Sequence, residues 1–445
     1  MRGPRFQFFF LCLCLLIFLL LILVVVLAFF PWSVRLSWCQ RIYLTFCLVP
    51  SLLLVARSMK MKGSSHLWRT LFLAFITFTA DGAGSPPFVP VFIGGQDGYV
   101  CFRIPAMVTT TSGTILAVAD GRISGCGDIP NPLDLILKRS TDNGATWGPL
   151  QVIADYGKNP NDTDIYPTSG LTNPLPRVAA GDAALLLDRT NGRVWIFYDS
   201  GASLRGKFRN RAMKLEMRYS DDDSLTWSAA IDLEARYPGL RPSGVNFMAS
   251  PGNGIQLRYG PHAGRLLFAA YIHGGSDHSL VIYSDDHGDT WHLGGTSAQG
   301  GGESQIAETS DGTILATIRN NDLPEKGVRY FNTSLDGGIT WGTPYFQTTN
   351  QLALPDPKCQ GSLLALTSSK KPCPLVMLNA AHSSARSNAT LRVSYDSGKT
   401  WPINNTICAG SSAYSALTEL SNGDVGILLE TDNYRRIVFQ RRQLK

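Results

Sequence analysis

The octet Ser140-Thr-Asp-Asn-Gly-Ala-Thr-Trp147 (STDNGATW) returns as SDDHGDTW at 284–291, SLDGGITW at 334–341 and SYDSGKTW at 394–401. A degenerate copy, SDDDSLTW at 220–227, carries Ser224 where the others carry glycine. Five copies of a pattern that fixes so many positions are a repeat, not an accident. The residue types suit a hairpin turn. An Asp side chain accepts hydrogen bonds from backbone N–H groups of its own turn. Glycine supplies a positive φ, and Trp packs the turn against the strand that follows. Apolar, β-rich runs lead into the octets, such as LDLILKRS, HSLVIYS and ATLRVSY. The octets start 80, 64, 50 and 60 residues apart, about the spacing that four-stranded blades need. Residues 85–445 therefore predict an all-β chain, a six-bladed β-propeller with little helix. Asp142, Asp286, Asp336 and Asp396 read as turn residues, not catalytic groups. A calcium loop of the DxDxDG type does not fit, because its ligand spacing and terminal Glu are missing.

Charge is unevenly spread along the 445 residues. Residues 1–82 hold eight Lys/Arg and one acid, a charge of +7, against +6 for the whole chain. The remainder sums to about −1, which argues against nucleic acid as a partner. Phe6 to Val34 contains no charged residue and is long enough to span a bilayer. From Met59 the text MKMKGSSHLWRTLFLAFITFTADGAG has a basic start, a short apolar stretch and small residues after it. That is the layout of a secretory signal peptide. Two readings follow. Either translation starts at Met59 or Met61, residues 1–58 being an over-extended apolar leader and 59–84 the signal-peptide-like segment, or Phe6–Val34 is a membrane anchor. Both place residues 85–445 in the lumen of the secretory pathway or outside the cell. Four Asn-x-Ser/Thr sites, Asn161, Asn332, Asn388 and Asn404, fit that compartment. Five cysteines lie beyond the leader: Cys101, Cys126, Cys359, Cys373 and Cys408. None has CxxC spacing, which argues against structural zinc. Cys359 and Cys373 bracket a short Pro/Ser/Lys-rich stretch and are candidates for a disulfide. Five is odd, so at least one thiol is free or paired between chains.

The octets resemble the Asp boxes of the sialidase (neuraminidase) superfamily, and the chain resembles that family over essentially all of residues 95–445. Four further matches carry the resemblance. Phe102-Arg103-Ile104-Pro105 is similar to the family's FRIP signature, which implies that Arg103 is one of three arginines clamping a substrate carboxylate. A planar guanidinium suits a carboxylate through paired, charge-assisted hydrogen bonds. The segment DGRISGCGD, residues 120–128, looks like the stretch that places a fourth arginine, Arg122, and then the acid/base Asp128. Asp134 is the weaker candidate for that role. ESQIAE, residues 303–308, followed by ATIRNN, implies that Glu303 partners the catalytic tyrosine and that Arg319 is the second clamp. Glu308 reads as a nearby strand carboxylate. Arg386, with Tyr414 28 positions on and Glu430 16 further, looks like the third clamp, the tyrosine, and the acid that holds Arg103. Arg392 reads as structural.

The resemblance implies an exo-α-sialidase acting with retention on terminal sialic acids of glycoproteins, glycolipids and oligosaccharides. Most retaining glycosidases use a carboxylate nucleophile, whereas sialidases use tyrosine. Sialic acid carries its own carboxylate at the anomeric carbon, so a neutral Tyr414 avoids repulsion. A phenol has a pKa of about 10, so Glu303 must take its proton. Asp128 then serves as acid and later as base. No cofactor or metal is expected, since the seven histidines show no ligand-like spacing. Partners are sialylated glycoconjugates, with membrane attachment possible through the apolar leader. A transfer enzyme and a non-catalytic sialic-acid-binding propeller are the alternatives. Resemblance to the animal lysosomal type implies a tyrosine-based sorting signal and a protective carboxypeptidase partner. Tyr434-Arg435-Arg436-Ile437 fits the signal's pattern but is expected to lie in the closing strand.

Overall fold

The apolar, β-branched runs between the octets become strands. The computed structural model describes residues 87–444, apart from 130, 157–164, 167–174, 177–178, 202–212, 241–245, 274–276, 350–351 and 369–372. The apolar leader, the signal-like segment and Asn161 lie outside the described residues. Among the described residues the chain is all-β: its only helical turns are Leu233–Arg236 and Gly260–His262. No helix there is long and apolar enough to cross a membrane.

The pairings group these strands into antiparallel modules of four. The first module runs Cys101–Thr109, Ile115–Arg122, Leu133–Ser140 and Gln151–Ala154. The second is Ala179–Leu187, Val194–Gly201, Met213–Ser220 and Ile231–Asp232. The third is Asn246–Ala249, Leu266–His273, His278–Ser284 and His292–Gln299. The fourth is Gly301–Glu308, Ile314–Asn320, Tyr330–Ser334 and Tyr345–Phe346. Ser362–Ala365, Leu375–Ala380 and Ser387–Ser394 form the fifth with the start of the long strand Ile403–Glu419. The end of that strand opens a sixth with Val425–Thr431 and Arg436–Arg442. Val89–Ile93, from the other end of the described chain, completes the sixth by pairing with Arg436–Arg442.

Apolar side chains meet between consecutive modules. Leu135 and Leu137 face Leu185 and Ile196 between the first and second, and Phe197 stacks on Phe268 at 3.8 Å between the second and third. The series ends where Met107 and Ile115 of the first module pack with Leu428 and Phe439 of the sixth. There the Thr109 N–H donates to Thr418 Oγ1 at 3.0 Å. Burying one such Leu, Ile or Phe contributes about 1.5–3 kcal/mol.

The octets form the turns that close these hairpins. In each, the Ser hydroxyl donates to the Asp carboxylate two residues on and accepts the N–H of the residue four on. The other Asp oxygen accepts the Thr hydroxyl. Those hydrogen bonds hold the carboxyls of Asp142 and Asp222 down at about 2. Two residues per octet take left-handed φ, as at His287 (59°) and Gly288 (94°). A Cβ on Gly288 would lie 2.2 Å from the Trp195 ring, so the glycine is needed for space as well as for φ.

Three expectations are corrected. The disulfide joins Cys101 to Cys126, while Cys359, Cys373 and Cys408 are free. Cys359 is drawn into the apolar cluster with Ile104, Ala413 and Tyr414, whereas Cys373 contacts the Tyr259 hydroxyl at 3.7 Å. Asn332 is buried and its amide donates to Ser297 O and Gly342 O, so it is closed to glycosylation. Tyr434 lies in the hairpin turn before the closing strand, not in the strand, which begins at Arg436.

Candidate active site

Four modules open with a strand whose register breaks at a chemically active residue. The break falls after Arg103 in Cys101–Thr109, over Asp182 in Ala179–Leu187, over Glu303 in Gly301–Glu308 and over Tyr414 in Ile403–Glu419. Each places two residues opposite one, a β-bulge, which bends the strand and re-aims a side chain. Two bulges hold non-glycine residues in left-handed backbone, Ile104 at φ 58° and Asp182 at φ 55°. For a β-branched residue this is a strained conformation that the surroundings must enforce.

The enforcer at Ile104 is Glu430, fully buried in Val425–Thr431. It accepts the Ile104 N–H at 2.8 Å, the Tyr414 N–H at 3.1 Å and Arg103 Nε at 2.8 Å. One carboxylate thus ties the first module to the sixth and fixes the Arg103 head. Burial works against the Arg103 charge, and Glu430 more than offsets it, holding the guanidinium cationic.

Arg103, Asp128, Glu303, Arg319, Arg386 and Tyr414 line one cavity of about 200 Å³. Tyr414 Oη donates to Glu303 Oε1 at 2.5 Å. Arg319 Nη1 donates to Glu303 Oε2 and to Tyr414 Oη, both at 2.7 Å. Burial pushes the Tyr414 phenol well above its usual range; Arg319 pulls it back, Glu303 pushes it further, and the net shift is upward. The phenol therefore keeps its proton, aimed at a carboxylate that can take it. The guanidinium of Arg386 lies 5.3 Å from the centre of the Tyr414 ring.

Asp128 is the exposed acid of the cavity. Its side chain is 60% exposed, and its Oδ1 accepts Arg122 Nη1 at 2.8 Å. Partial burial would raise its pKa, but Arg122, with Arg103 and Arg386 beyond, holds it below the usual carboxylate range. Arg122 itself does not line the cavity. It is buried, with Nη2 on Asp120 at 2.9 Å and Nη1 also on Cys126 O at 2.6 Å. Its head thus faces the loop that carries Asp128, and the Cys101–Cys126 disulfide ties that loop to the strand bearing Arg103.

The weaker candidates fall into structural places. Asp134 accepts the Tyr99 hydroxyl at 2.7 Å. Glu308 accepts the N–H groups of Arg258 and Tyr259. Arg392 donates to Asn379. The cavity also holds residues that the sequence did not single out, Asp182, Tyr271, His273 and Asn321. Burial, then the carboxylates of Asp120, Asp128 and Glu303, push the Asp182 acid well above its usual range. Its one sequence signal is a lone acid in the apolar run AAGDAALLL. Among the described residues no group of three or more His, Cys, Asp and Glu is placed to hold a metal ion. A wider hollow of about 880 Å³ runs from Thr296–Gln299 to Tyr345 and Phe346. Its only charged lining residue is Glu325, so the acid, base and cation chemistry belongs to the smaller cavity.

Residues 113–427 match the family described as BNR repeat-like domain. The chain is 34% identical over 353 residues to a sialidase of Micromonospora viridifaciens, covering 76% of this chain and 51% of that protein. It thus spans about half the length of that relative. The solved Hadza microbial sialidase Hz136 superposes with a TM-score of 0.69 at 29% identity, over 80% of this chain and 68% of that one. The intramolecular trans-sialidase from Ruminococcus gnavus gives 0.66 at 20% identity over 80% and 97%, a likeness of fold. With the family matched over most of this chain's length, the chain belongs to the BNR repeat-like family, and the relatives it resembles in sequence and structure are sialidases.

Proposed function

We propose that the protein is an exo-α-sialidase that releases terminal sialic acid with retention, on a six-bladed propeller. Support for six blades comes from the six modules, from apolar cores between consecutive modules, and from the packing of the last against the first. The observation that carries the activity is the Tyr414–Glu303–Arg319 triangle, 2.5 to 2.7 Å on each side, in a cavity with two more arginines. Arg103, Arg319 and Arg386 bind the sugar carboxylate and fix its orientation. Asp128 protonates the departing glycosidic oxygen. Tyr414 passes its proton to Glu303 and bonds to the anomeric carbon. Asp128 then takes a proton from water, which displaces Tyr414 and frees the sugar, while Glu303 returns the phenol's proton. The arriving carboxylate neutralises part of the arginine charge that holds Asp128 ionised, so binding itself raises the acid's pKa toward a working value. The Cys101–Cys126 disulfide supports an oxidising compartment.

A fluorogenic sialoside tests this directly. Wild type is expected to release the fluorophore, and Tyr414→Phe to lose at least about a thousandfold in kcat with its melting temperature kept. Full activity in Tyr414→Phe sinks the tyrosine assignment. Binding without turnover in wild type points to a lectin-like protein, and transfer to added lactose to a transferase.

A further inference from the structure

Two of the clamp arginines have a carboxylate that fixes them. Glu430 grips Arg103 and Glu303 grips Arg319. Among the described residues Arg386 has no such partner. Its polar contact is the Tyr434 hydroxyl, 3.5 Å from Nη1. The same Tyr434 ring lies under the Arg103 guanidinium, 4.1 Å from carbon to ring centre. One aromatic side chain therefore touches two of the three cations. It is half-buried against the cluster of Ile104, Cys359, Ala413 and Tyr414. Tyr434 does not itself line the cavity, so it reaches a ligand only through the arginines.

The backbone that presents it is strained. Thr431 pairs with Arg436, and Asp432, Asn433 and Tyr434 between them take φ values of 53°, 53° and 66°. Asp and Asn tolerate this conformation, but a bulky aromatic does not. Strain held in place by its surroundings marks a functional position. The turn is pinned where the Asn433 N–H donates to Ser411 Oγ at 3.0 Å.

We infer that Tyr434 is a positioning residue of the carboxylate clamp: its ring seats Arg103 and its hydroxyl orients Arg386. This rests on the sialidase reading of the cavity. A neutral partner suits the task. A carboxylate at this place would compete with the ligand for Arg386, while a phenol face attracts guanidinium without cancelling its charge.

The test compares two inhibitors, the 2,3-didehydro form of N-acetylneuraminic acid and the same compound with its carboxylate reduced to an alcohol. Tyr434→Asn removes the ring and accepts the left-handed backbone, so the turn is kept. It is expected to raise Ki for the acid, and KM for substrate, about tenfold. Ki for the alcohol should stay unchanged and kcat should fall less than KM rises. Tyr434→Phe keeps the ring and should restore most of the affinity. An equal loss for both inhibitors, or no loss for the acid, overturns the inference. Should wild type bind neither inhibitor, the sialidase reading itself has failed.

Discussion

Ser224 occupies the one octet position where the repeat lacks its glycine. Its φ is 64°, it is fully buried, and its hydroxyl finds no partner among the described residues. Left-handed backbone costs a non-glycine residue about 1–2 kcal/mol, and an unpaired buried hydroxyl about 1–3 kcal/mol. Glycine gives part of this back through its greater freedom when unfolded. Ser224→Gly is therefore expected to stabilise the fold by about 1 kcal/mol, read as a rise in melting temperature with activity unchanged. Gly288→Ala should do the reverse, losing about 3 kcal/mol, since the added methyl meets Trp195 and the backbone is left-handed as well. At this scale the sequence was informative wherever a residue stood in a spaced motif. Arg103, Arg122, Asp128, Glu303, Arg319, Arg386, Tyr414 and Glu430 were all singled out; all but Arg122 and Glu430 line one cavity, with Glu430 holding Arg103 and Arg122 holding Asp128. Asp182 and Tyr434 were not linked to the site. Nothing in AAGDAALLL says that the acid sits on a bulge, and nothing in TDNYRR says that the tyrosine turns back toward Arg103.

Strands were legible from their apolar runs and turns from their octets, but the bulges were not. A bulge changes the side-chain parity by one residue inside a run that is buried on both faces. Cys101–Thr109 and Gly301–Glu308 are buried at every position, so there is no polar alternation for a break to interrupt. The disulfide was hidden for a similar reason. Cys101 and Cys126 are 25 residues apart in sequence, and only the pairing of Cys101–Thr109 with Ile115–Arg122 brings them together. That bridge fastens the loop carrying Asp128 to the strand carrying Arg103. Closing a loop of this length is worth about 3.5 kcal/mol in the chain-entropy account. The double variant Cys101→Ser, Cys126→Ser is expected to lose about 2–5 kcal/mol in denaturant unfolding. It should also lose several-fold in kcat, since the loop carrying Asp128 then loses its covalent tie to the strand bearing Arg103. An unaltered kcat with the expected loss of stability would confine the bridge to a folding role.

Across the molecule two sets of carboxyls act on stability in opposite directions. Around the rim, Asp142 and Asp222 are held down at about 2 by their turns. In the interior, burial pushes Asp120 up to about 6, against the pull of Arg122. Burial also pushes Asp199 well above its usual range, helped by the neighbouring Asp182 and Asp120. Asp199 Oδ1 accepts the Ala249 N–H at 3.0 Å, while Oδ2 has no partner among the described residues, so the neutral form suits this place. An unfolded Asp titrates near 3.9. The rim groups bind fewer protons when folded, so their contribution is present above about pH 4 and is lost as pH falls toward 2. The interior groups bind more protons when folded, so their contribution is complete below about pH 4. It is lost as pH rises, through about 6 for Asp120 and further for Asp199. The melting temperature is therefore expected to peak near pH 4 and to decline toward pH 7. Asp199→Asn keeps the bond to Ala249 and cannot ionise. It should flatten the decline between pH 4 and pH 7 and leave the acid side of the curve in place. Calorimetry of both proteins across pH 2.5–7.5 decides: a wild-type curve that is level from pH 4 to pH 7 would mean that the buried acids are charged and paired in the fold, against the burial that surrounds them.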